Sequence, residues 1–173
     1  MEKIIYYYSG GGNNRELAAV LQKRLGCEAV PIDPAAPRSF IGCLLSMLLK
    51  LPRKAGPSLT AEQRYGLAIV CFPIWGGKMP PAVRSFIRQN RDKFMHIAVA
   101  SASHQGDATG SMLLDFISTA GGRPLAVLDI SLKSPGGAIA VKNDADNVDR
   151  TASIVARAAP EIDLFISAIG TTR

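Results

Sequence analysis

The sequence predicts an α/β domain in which helices cover both faces of a five-stranded parallel sheet. Short, apolar, β-prone segments alternate along the chain with segments whose apolar residues recur at helical spacing. The segment Tyr65 to Phe72 is uninterrupted by charge, as expected for a strand buried on both faces. Right-handed crossovers leave few arrangements for five such strands. In the order 2-1-3-4-5, strands one, three and four would be adjacent, and the loops that follow them would converge at one edge of the sheet.

The predicted elements follow one another without a repeat or an internal linker. The strands are Lys3–Tyr8, Glu28–Ile32, Tyr65–Phe72, His96–Ala102 and Pro124–Leu132. The helices are 13–25 with Asn13 or Asn14 as its N-cap, Arg38–Leu51, a helix that begins at Pro81, Ser111–Ala120, and Asp146–Gly170 with Pro160 as a point where it can break or restart. We therefore expect one domain that spans residues 1–173.

Composition and the N-terminus exclude several classes of protein. The most lipid-like stretch, Phe40 to Leu51, is too short to span a bilayer, and Lys3 already opens a strand, so we expect neither a transmembrane segment nor a signal peptide. Three scattered cysteines indicate reduced thiols in a cytoplasmic protein, and two histidines give no basis for a metal site.

The formal net charge of +6 comes from dispersed Lys and Arg residues. The densest basic cluster, Lys50 to Lys54, lacks the aromatic interleaving of single-strand binders, so we expect no nucleic-acid partner. A basic surface suits an anionic small molecule or an acidic partner.

A glycine-rich segment after the first strand is the first candidate site. It comprises Ser9, Gly10, Gly11, Gly12, Asn13 and Asn14 and leads directly into a helix. Glycines leave backbone N–H groups accessible, and a helix start favours a dianion such as phosphate. A Walker A loop would need Gly-Lys-Ser/Thr here, and a dinucleotide fingerprint would need glycine in place of Arg15. The alternative is that the glycines only make a tight turn.

These residues resemble the flavodoxin phosphate loop, usually written Ser/Thr-x-Thr-Gly-Asn-Thr. Ser9, Gly12 and Asn13 match that pattern. Gly11 and Asn14 stand where the family prefers threonine, so two hydroxyl donors are missing. Backbone N–H groups and the Asn14 amide could replace them.

The block after the third strand carries a second resemblance. Phe72-Pro73-Ile74-Trp75-Gly76-Gly77-Lys78-Met79-Pro80-Pro81 is similar to the loop that approaches the isoalloxazine ring in flavodoxin-like proteins. We expect Pro73, Ile74, Trp75, Gly76, Gly77 and Lys78 to contribute to that site, because a flavin needs an aromatic or apolar surface and nearby backbone amides. The alternative is that Trp75, the one tryptophan of the chain, only caps the core.

The loop after the fourth strand occupies the position of the third flavin-contacting loop in this family. Its candidates are Ser101, Ser103, His104 and Gly106. His104 could also be an ordinary exposed histidine. The chain has no G-x-S-x-G elbow, and flavin chemistry requires no side-chain acid or base, so we assign no catalytic residue.

The resemblance therefore implies a single flavodoxin-like three-layer domain with the strand order 2-1-3-4-5 that binds FMN non-covalently. Electron carriers of this family are typically acidic, whereas this chain is basic, which favours an NAD(P)H-dependent reductase of quinones or similar small-molecule acceptors. An electron carrier served by a partner reductase, and an interaction module with weak or lost FMN binding, are the alternatives. The apolar and basic segment from Arg38 to Lys54 resembles a helix and loop of one family branch, and could line a substrate cleft or a homodimer face.

Overall fold

The structure, a computed structural model, describes residues 1–32, 57–103, 109–132 and 158–170. Strands and helices alternate in these ranges. In chain order they are β1 (Lys3–Tyr7), α1 (Asn13–Leu25), β2 (Glu28–Pro31), β3 (Tyr65–Cys71), α2 (Pro81–Asn90), β4 (Phe94–Ser103), α3 (Thr109–Ala120), β5 (Val127–Ser131) and α4 (Ala159–Gly170). The predicted helix Arg38–Leu51 and the first part of the predicted helix Asp146–Gly170 lie outside the described residues.

The five strands form one parallel sheet in the order β2-β1-β3-β4-β5, which confirms the predicted topology. In the register of the sheet, Tyr7 lies opposite Cys71, and Cys71 lies opposite Ala100. The carboxyl ends of β1, β3 and β4 are therefore neighbours, and the segments that follow them begin at the same edge.

Apolar side chains cover the sheet on both faces. On one face the strands pack against α2 and α3 through residues such as Val83, Phe86 and Phe116. On the other face they pack against α1 and α4 through Leu17 and Phe165. Burial from both sides explains why charge is scarce in the central strands.

Several element ends differ from the predictions by one to three residues, and two differences have identifiable reasons. β4 begins at Phe94 rather than His96, because the Phe94 ring packs against Tyr6 and Phe86 in an aromatic cluster. The N-cap of α1 is Gly12 rather than an asparagine, since the Asn14 side chain bonds elsewhere. Within the described part of the chain, none of the helices has the length and apolar character needed to cross a bilayer.

Candidate functional site

Two segments of unusual composition leave the sheet side by side, one after β1 and the other after β3. Their starting strands pair directly, and the pairing extends one residue further through a hydrogen bond from the Tyr8 N–H to the Cys71 carbonyl oxygen at 2.8 Å. Residues 9–12, here called the glycine loop, and residues 73–80, here called the tryptophan loop, therefore start at adjacent points of one edge.

The glycine loop delivers the chain into α1 through a backbone conformation that suits glycine. Gly12 has φ +92° and ψ −33°, and its carbonyl oxygen accepts hydrogen bonds from the N–H groups of Arg15 and Glu16. A Cβ placed on Gly12 would meet nothing within 4 Å, so the position needs glycine for its dihedral angles and not for lack of space. The first turn of α1 thus opens toward a loop that carries almost no side-chain bulk.

Asn14 joins this turn to β4. Its side chain is only 2% exposed, its Nδ2 donates to the Ala102 carbonyl oxygen at 3.0 Å, and its Oδ1 accepts from the Ala102 N–H at 2.9 Å. These bonds use the amide oxygen and one of the two amide N–H groups to hold the end of β4, so the use of this amide as a replacement phosphate donor stays a prediction. The backbone N–H of Asn14, in the first turn of α1, remains a candidate contact for an anion.

The tryptophan loop contains a tight hairpin that the sequence analysis treated only as a loop. The Trp75 N–H donates to the Lys78 carbonyl oxygen at 2.9 Å, and the Lys78 N–H donates to the Trp75 carbonyl oxygen at 3.0 Å. Between them Gly76 has φ +53° and Gly77 has φ +74°. Positive φ at both central residues is the signature of a type I′ turn, and Gly-Gly is one of the residue pairs that favour this turn.

Tyr8, the residue before the glycine loop, contacts the tryptophan loop. The Tyr8 ring meets the Trp75 ring edge to face, with centroids 5.7 Å apart and planes inclined by 78°. Tyr8 is buried, whereas Trp75 is half-buried and packs against the core. Trp75 therefore does pack on the core, yet part of its side chain stays accessible beside the glycine loop. Sequence reasoning did not single out Tyr8, although it directly precedes Ser9.

A charged side chain from α3 holds the other end of the hairpin. Asp115 Oδ2 accepts from the Met79 N–H at 2.9 Å and from Arg84 Nη2, also at 2.9 Å. Neither Asp115 nor Arg84 was predicted as a site residue. No sequence signal marks them, because the bonds join residues that are 36 and 31 positions apart.

The third group of predicted residues is only partly described. Ser101 and Ser103 belong to the last residues of β4 and are buried, while His104 and Gly106 lie outside the described residues. Among the described residues, neither serine Oγ has a hydrogen-bond partner. Ser101 lies opposite Asp129 of β5, whose carboxylate accepts a 2.5 Å hydrogen bond from the Thr109 hydroxyl. Sequence reasoning missed Asp129 and Thr109.

Burial disfavours the charged form of Asp129 and raises the pKa of its carboxyl above the ordinary value. The hydrogen bond from Thr109 opposes that rise. The Ser101 hydroxyl acts in the same direction as Thr109, although its geometry falls short of a hydrogen bond. A half-buried carboxyl with a raised pKa thus lies beside the carboxyl end of β4.

Comparison with solved structures identifies the architecture. A flavoprotein from Lactobacillus acidophilus NCFM, solved in complex with FMN, is similar at TM-score 0.61 and 14% identity over 74% of this chain and 92% of that one. A candidate flavoprotein from Bacteroides eggerthii DSM 20697 reaches TM-score 0.63 at 15% identity, over 95% of this chain and 97% of that one. A candidate flavoprotein from Bacteroides uniformis ATCC 8492 is similar at TM-score 0.62 and 13% identity, over 90% of this chain and 97% of that one. The chain has the flavodoxin-like fold.

The sequence itself matches no known family profile and no curated protein. In the flavodoxin-like fold observed here, the glycine loop and the tryptophan loop lie at the carboxyl edge of the sheet, where open α/β sheets bind their ligands. Of the predicted site residues, Ser9 to Asn14 and Pro73 to Lys78 are brought side by side, and Ser101 and Ser103 end the neighbouring strand.

Proposed function

We propose that this protein binds FMN non-covalently and uses it to transfer electrons from NAD(P)H to quinones or similar small-molecule acceptors. The observation that carries the proposal is the contact between Tyr8 and Trp75, which places an accessible aromatic ring directly beside a glycine loop at a helix start. A phosphate site next to an aromatic surface matches the two ends of FMN. The structurally similar Lactobacillus acidophilus protein was solved with FMN.

The glycine loop fits the phosphate of FMN in its chemistry. It contains the hydroxyl of Ser9 and three glycines but no lysine, and it leads directly into the first turn of α1. Such a loop would hold a dianion through neutral hydrogen bonds from Ser9 and from backbone N–H groups of residues 10–14, assisted by the helix dipole. Because the Asn14 side chain is bonded to Ala102, the backbone would supply most of these donors.

The tryptophan loop fits the ring. Trp75 would stack on or beside the isoalloxazine, while the exposed Gly76 would let the backbone approach the ring edge closely. Ser101 and Ser103 at the end of β4 are the proposed third contact with the ring, and His104 and Gly106 stay sequence-based candidates for it. When bound, FMN accepts and donates one or two electrons, and the residues around it set the reduction potential by stacking and hydrogen bonding.

Positive charge near the two loops favours a nicotinamide dinucleotide as the electron source. Arg15 follows the glycine loop in the first turn of α1, and Lys78 closes the hairpin, and both residues are exposed. Their cationic groups would attract the phosphates of NAD(P)H to the side of the molecule where FMN would bind. The overall charge of +6 acts in the same direction.

The test is oxidation of NADPH and of NADH by the FMN-loaded protein with a soluble benzoquinone as acceptor. We expect steady loss of the reduced-nicotinamide absorbance that depends on both protein and quinone. Lys78→Gln should raise KM for the dinucleotide while kcat stays near the wild-type value, because it removes charge near the binding face. Lys23→Gln, in the last turn of α1, is the matched control and should leave KM unchanged.

Two other outcomes would replace the proposal. If the FMN-loaded protein is reduced only by a separate reductase and never by NAD(P)H, the protein is an electron carrier. If the purified protein neither contains FMN nor takes it up, it acts as an interaction module that has the fold without the cofactor.

A further inference from the structure

The hairpin of the tryptophan loop is connected to the helices beside it through one carboxylate. Asp115 Oδ2 accepts two hydrogen bonds, one from the Met79 N–H immediately after the hairpin and one from Arg84 of α2. Arg84 Nη2 also lies 3.5 Å from the Met79 carbonyl oxygen. The side chain of Asp115 is only 17% exposed, so water competes weakly for these bonds.

Because Asp115 belongs to α3, its bonds connect the tryptophan loop to that helix. Asp115 lies in α3, the helix that follows residues 101–106, and its backbone carbonyl oxygen accepts hydrogen bonds from the hydroxyls of Ser118 and Thr119. Its carboxylate meanwhile bonds to the tryptophan loop. Asp115 thus connects α3, the helix that follows the proposed flavin-contacting residues 101–106, to the backbone of the tryptophan loop.

The residues on either side of the hairpin are buried in the core, so apolar packing holds it as well as polar contacts. Its two internal hydrogen bonds join Trp75 to Lys78 and fix the shape of the turn but not its position on the protein. The ring contact with Tyr8 holds the Trp75 side of the hairpin. On the Lys78 side, the described polar contacts are the Met79 N–H bond to Asp115 and a 3.5 Å contact from the arginine paired with it to the Met79 carbonyl oxygen.

We propose that Asp115 is a positioning residue for the flavin site: with Arg84, it holds the tryptophan loop so that the Trp75 ring is in place before any ligand binds. This inference rests on the proposed function, in which Trp75 lies against the flavin. A preformed surface lowers the ordering cost of binding, so the carboxylate should matter for affinity although it touches no ligand.

Trp75 is the only tryptophan in the chain, so its fluorescence reports the hairpin directly, without FMN. In the apo protein, Asp115→Ala should shift the Trp75 emission to longer wavelength and raise its quenching by acrylamide about twofold or more, because the ring gains solvent exposure. FMN affinity should fall about tenfold, while the far-UV circular dichroism keeps its wild-type shape.

Two further variants separate positioning from general destabilisation. Asp115→Asn keeps an oxygen that can accept from the Met79 N–H, so the emission of Trp75 and the FMN affinity should both return close to wild type. Asp92→Ala removes the same charge from an exposed turn after α2 and should change neither signal. If Asp115→Ala does not fold, Asp115→Ser takes its place: its shorter side chain cannot reach the Met79 N–H, so it should expose Trp75 in the same way.

The outcomes for the two proposals are distinct. Unchanged Trp75 emission and quenching in folded Asp115→Ala would overturn the positioning role, whatever the FMN affinity. Failure of Asp115→Asn to restore the Trp75 signal would overturn it as well. A wild-type protein that takes up no FMN, but whose Trp75 becomes exposed in Asp115→Ala, would overturn the proposed function and leave the anchoring of the hairpin intact.

Discussion

The glycine loop and the tryptophan loop lie side by side, yet they are held in place in opposite ways. Beside the first, a side chain of the helix that follows the loop, Asn14 of α1, bonds to the backbone of β4 at Ala102. In the second, the backbone of the segment at Met79 bonds to the side chain of another element, Asp115. The bonds of Asn14 fix the end of β4 beside a loop that consists mostly of glycine. The bond of Met79 fixes a loop that presents the Trp75 side chain.

The difference matches what each loop would have to do. A phosphate is held by several N–H groups that point inward, so the glycine loop needs an unobstructed backbone and a fixed helix start. A flat ring is held by an aromatic surface, so the tryptophan loop needs one side chain in a defined place. The glycine loop, whose backbone would bind the phosphate, is fixed through a side chain. The tryptophan loop, whose side chain would bind the ring, is fixed through its backbone.

The comparison predicts its largest effect at Asn14. Asn14→Ala removes both hydrogen bonds to Ala102 and leaves a buried N–H and carbonyl without partners, which should lower the free energy of unfolding by about 2–4 kcal/mol. Urea denaturation measures this change. Gln22→Ala, on the exposed side of the same helix, is the control and should cost less than about 0.5 kcal/mol. Equal effects of the two substitutions would show that the bond from α1 to β4 contributes little.

A smaller effect distinguishes the turns of the two loops. Gly12, at φ +92° and ψ −33°, lies far from the left-handed helical region, whereas Gly76, at φ +53°, has the φ of that region. A Cβ would meet nothing within 4 Å at either position, so only backbone strain differs. Gly12→Ala should cost about 2 kcal/mol and Gly76→Ala about 1 kcal/mol in thermal or chemical unfolding. The reverse order would contradict this account of the two turns.

The sequence alone predicted a parallel five-stranded sheet covered by helices, since the alternation of apolar strands and amphipathic helices depends on local pattern, and the resemblance to flavodoxins supplied the strand order. It also identified both loops, because runs of glycine and an isolated tryptophan are visible in the chain itself. The type I′ hairpin could have been predicted from Gly76-Gly77 between Trp75 and Lys78.

The partners of those loops could not be predicted in the same way. Asn14 and Ala102 are 88 residues apart, and Met79 and Asp115 are 36 apart. Such pairs exist only once the sheet and helices are assembled, and nothing in the local pattern marks the Asn14 amide as a partner of Ala102.

The smallest effect concerns Asp129 of β5, which lies on the side of β4 opposite to Asn14. The pKa of Asp129 is raised because burial disfavours its charged form, so the folded state binds a proton more readily than the unfolded state. The contribution of Asp129 to the free energy of unfolding should therefore fall as pH rises from about 4 through its folded-state pKa. Asp129→Asn removes this ionisation and keeps an oxygen acceptor for Thr109.

Relative to wild type, Asp129→Asn should thus become more stable as pH increases from about 4 to about 7. Denaturant unfolding of both proteins at the two pH values measures the difference. A variant that loses relative stability over that range would mean that the carboxylate is favoured, rather than disfavoured, by its surroundings.

The most direct test of the central claim is titration of the apo protein with FMN, followed by quenching of Trp75 fluorescence and of flavin fluorescence. We predict saturable binding of one FMN per chain. We also predict that Trp75→Ala, followed by flavin fluorescence, raises Kd about 5-fold to 150-fold, as loss of about 1–3 kcal/mol of ring contact requires. Trp75→Phe should keep most of the affinity. No saturable quenching by FMN, or the same Kd in wild type and Trp75→Ala, would contradict a flavin site formed by the glycine loop and the tryptophan loop.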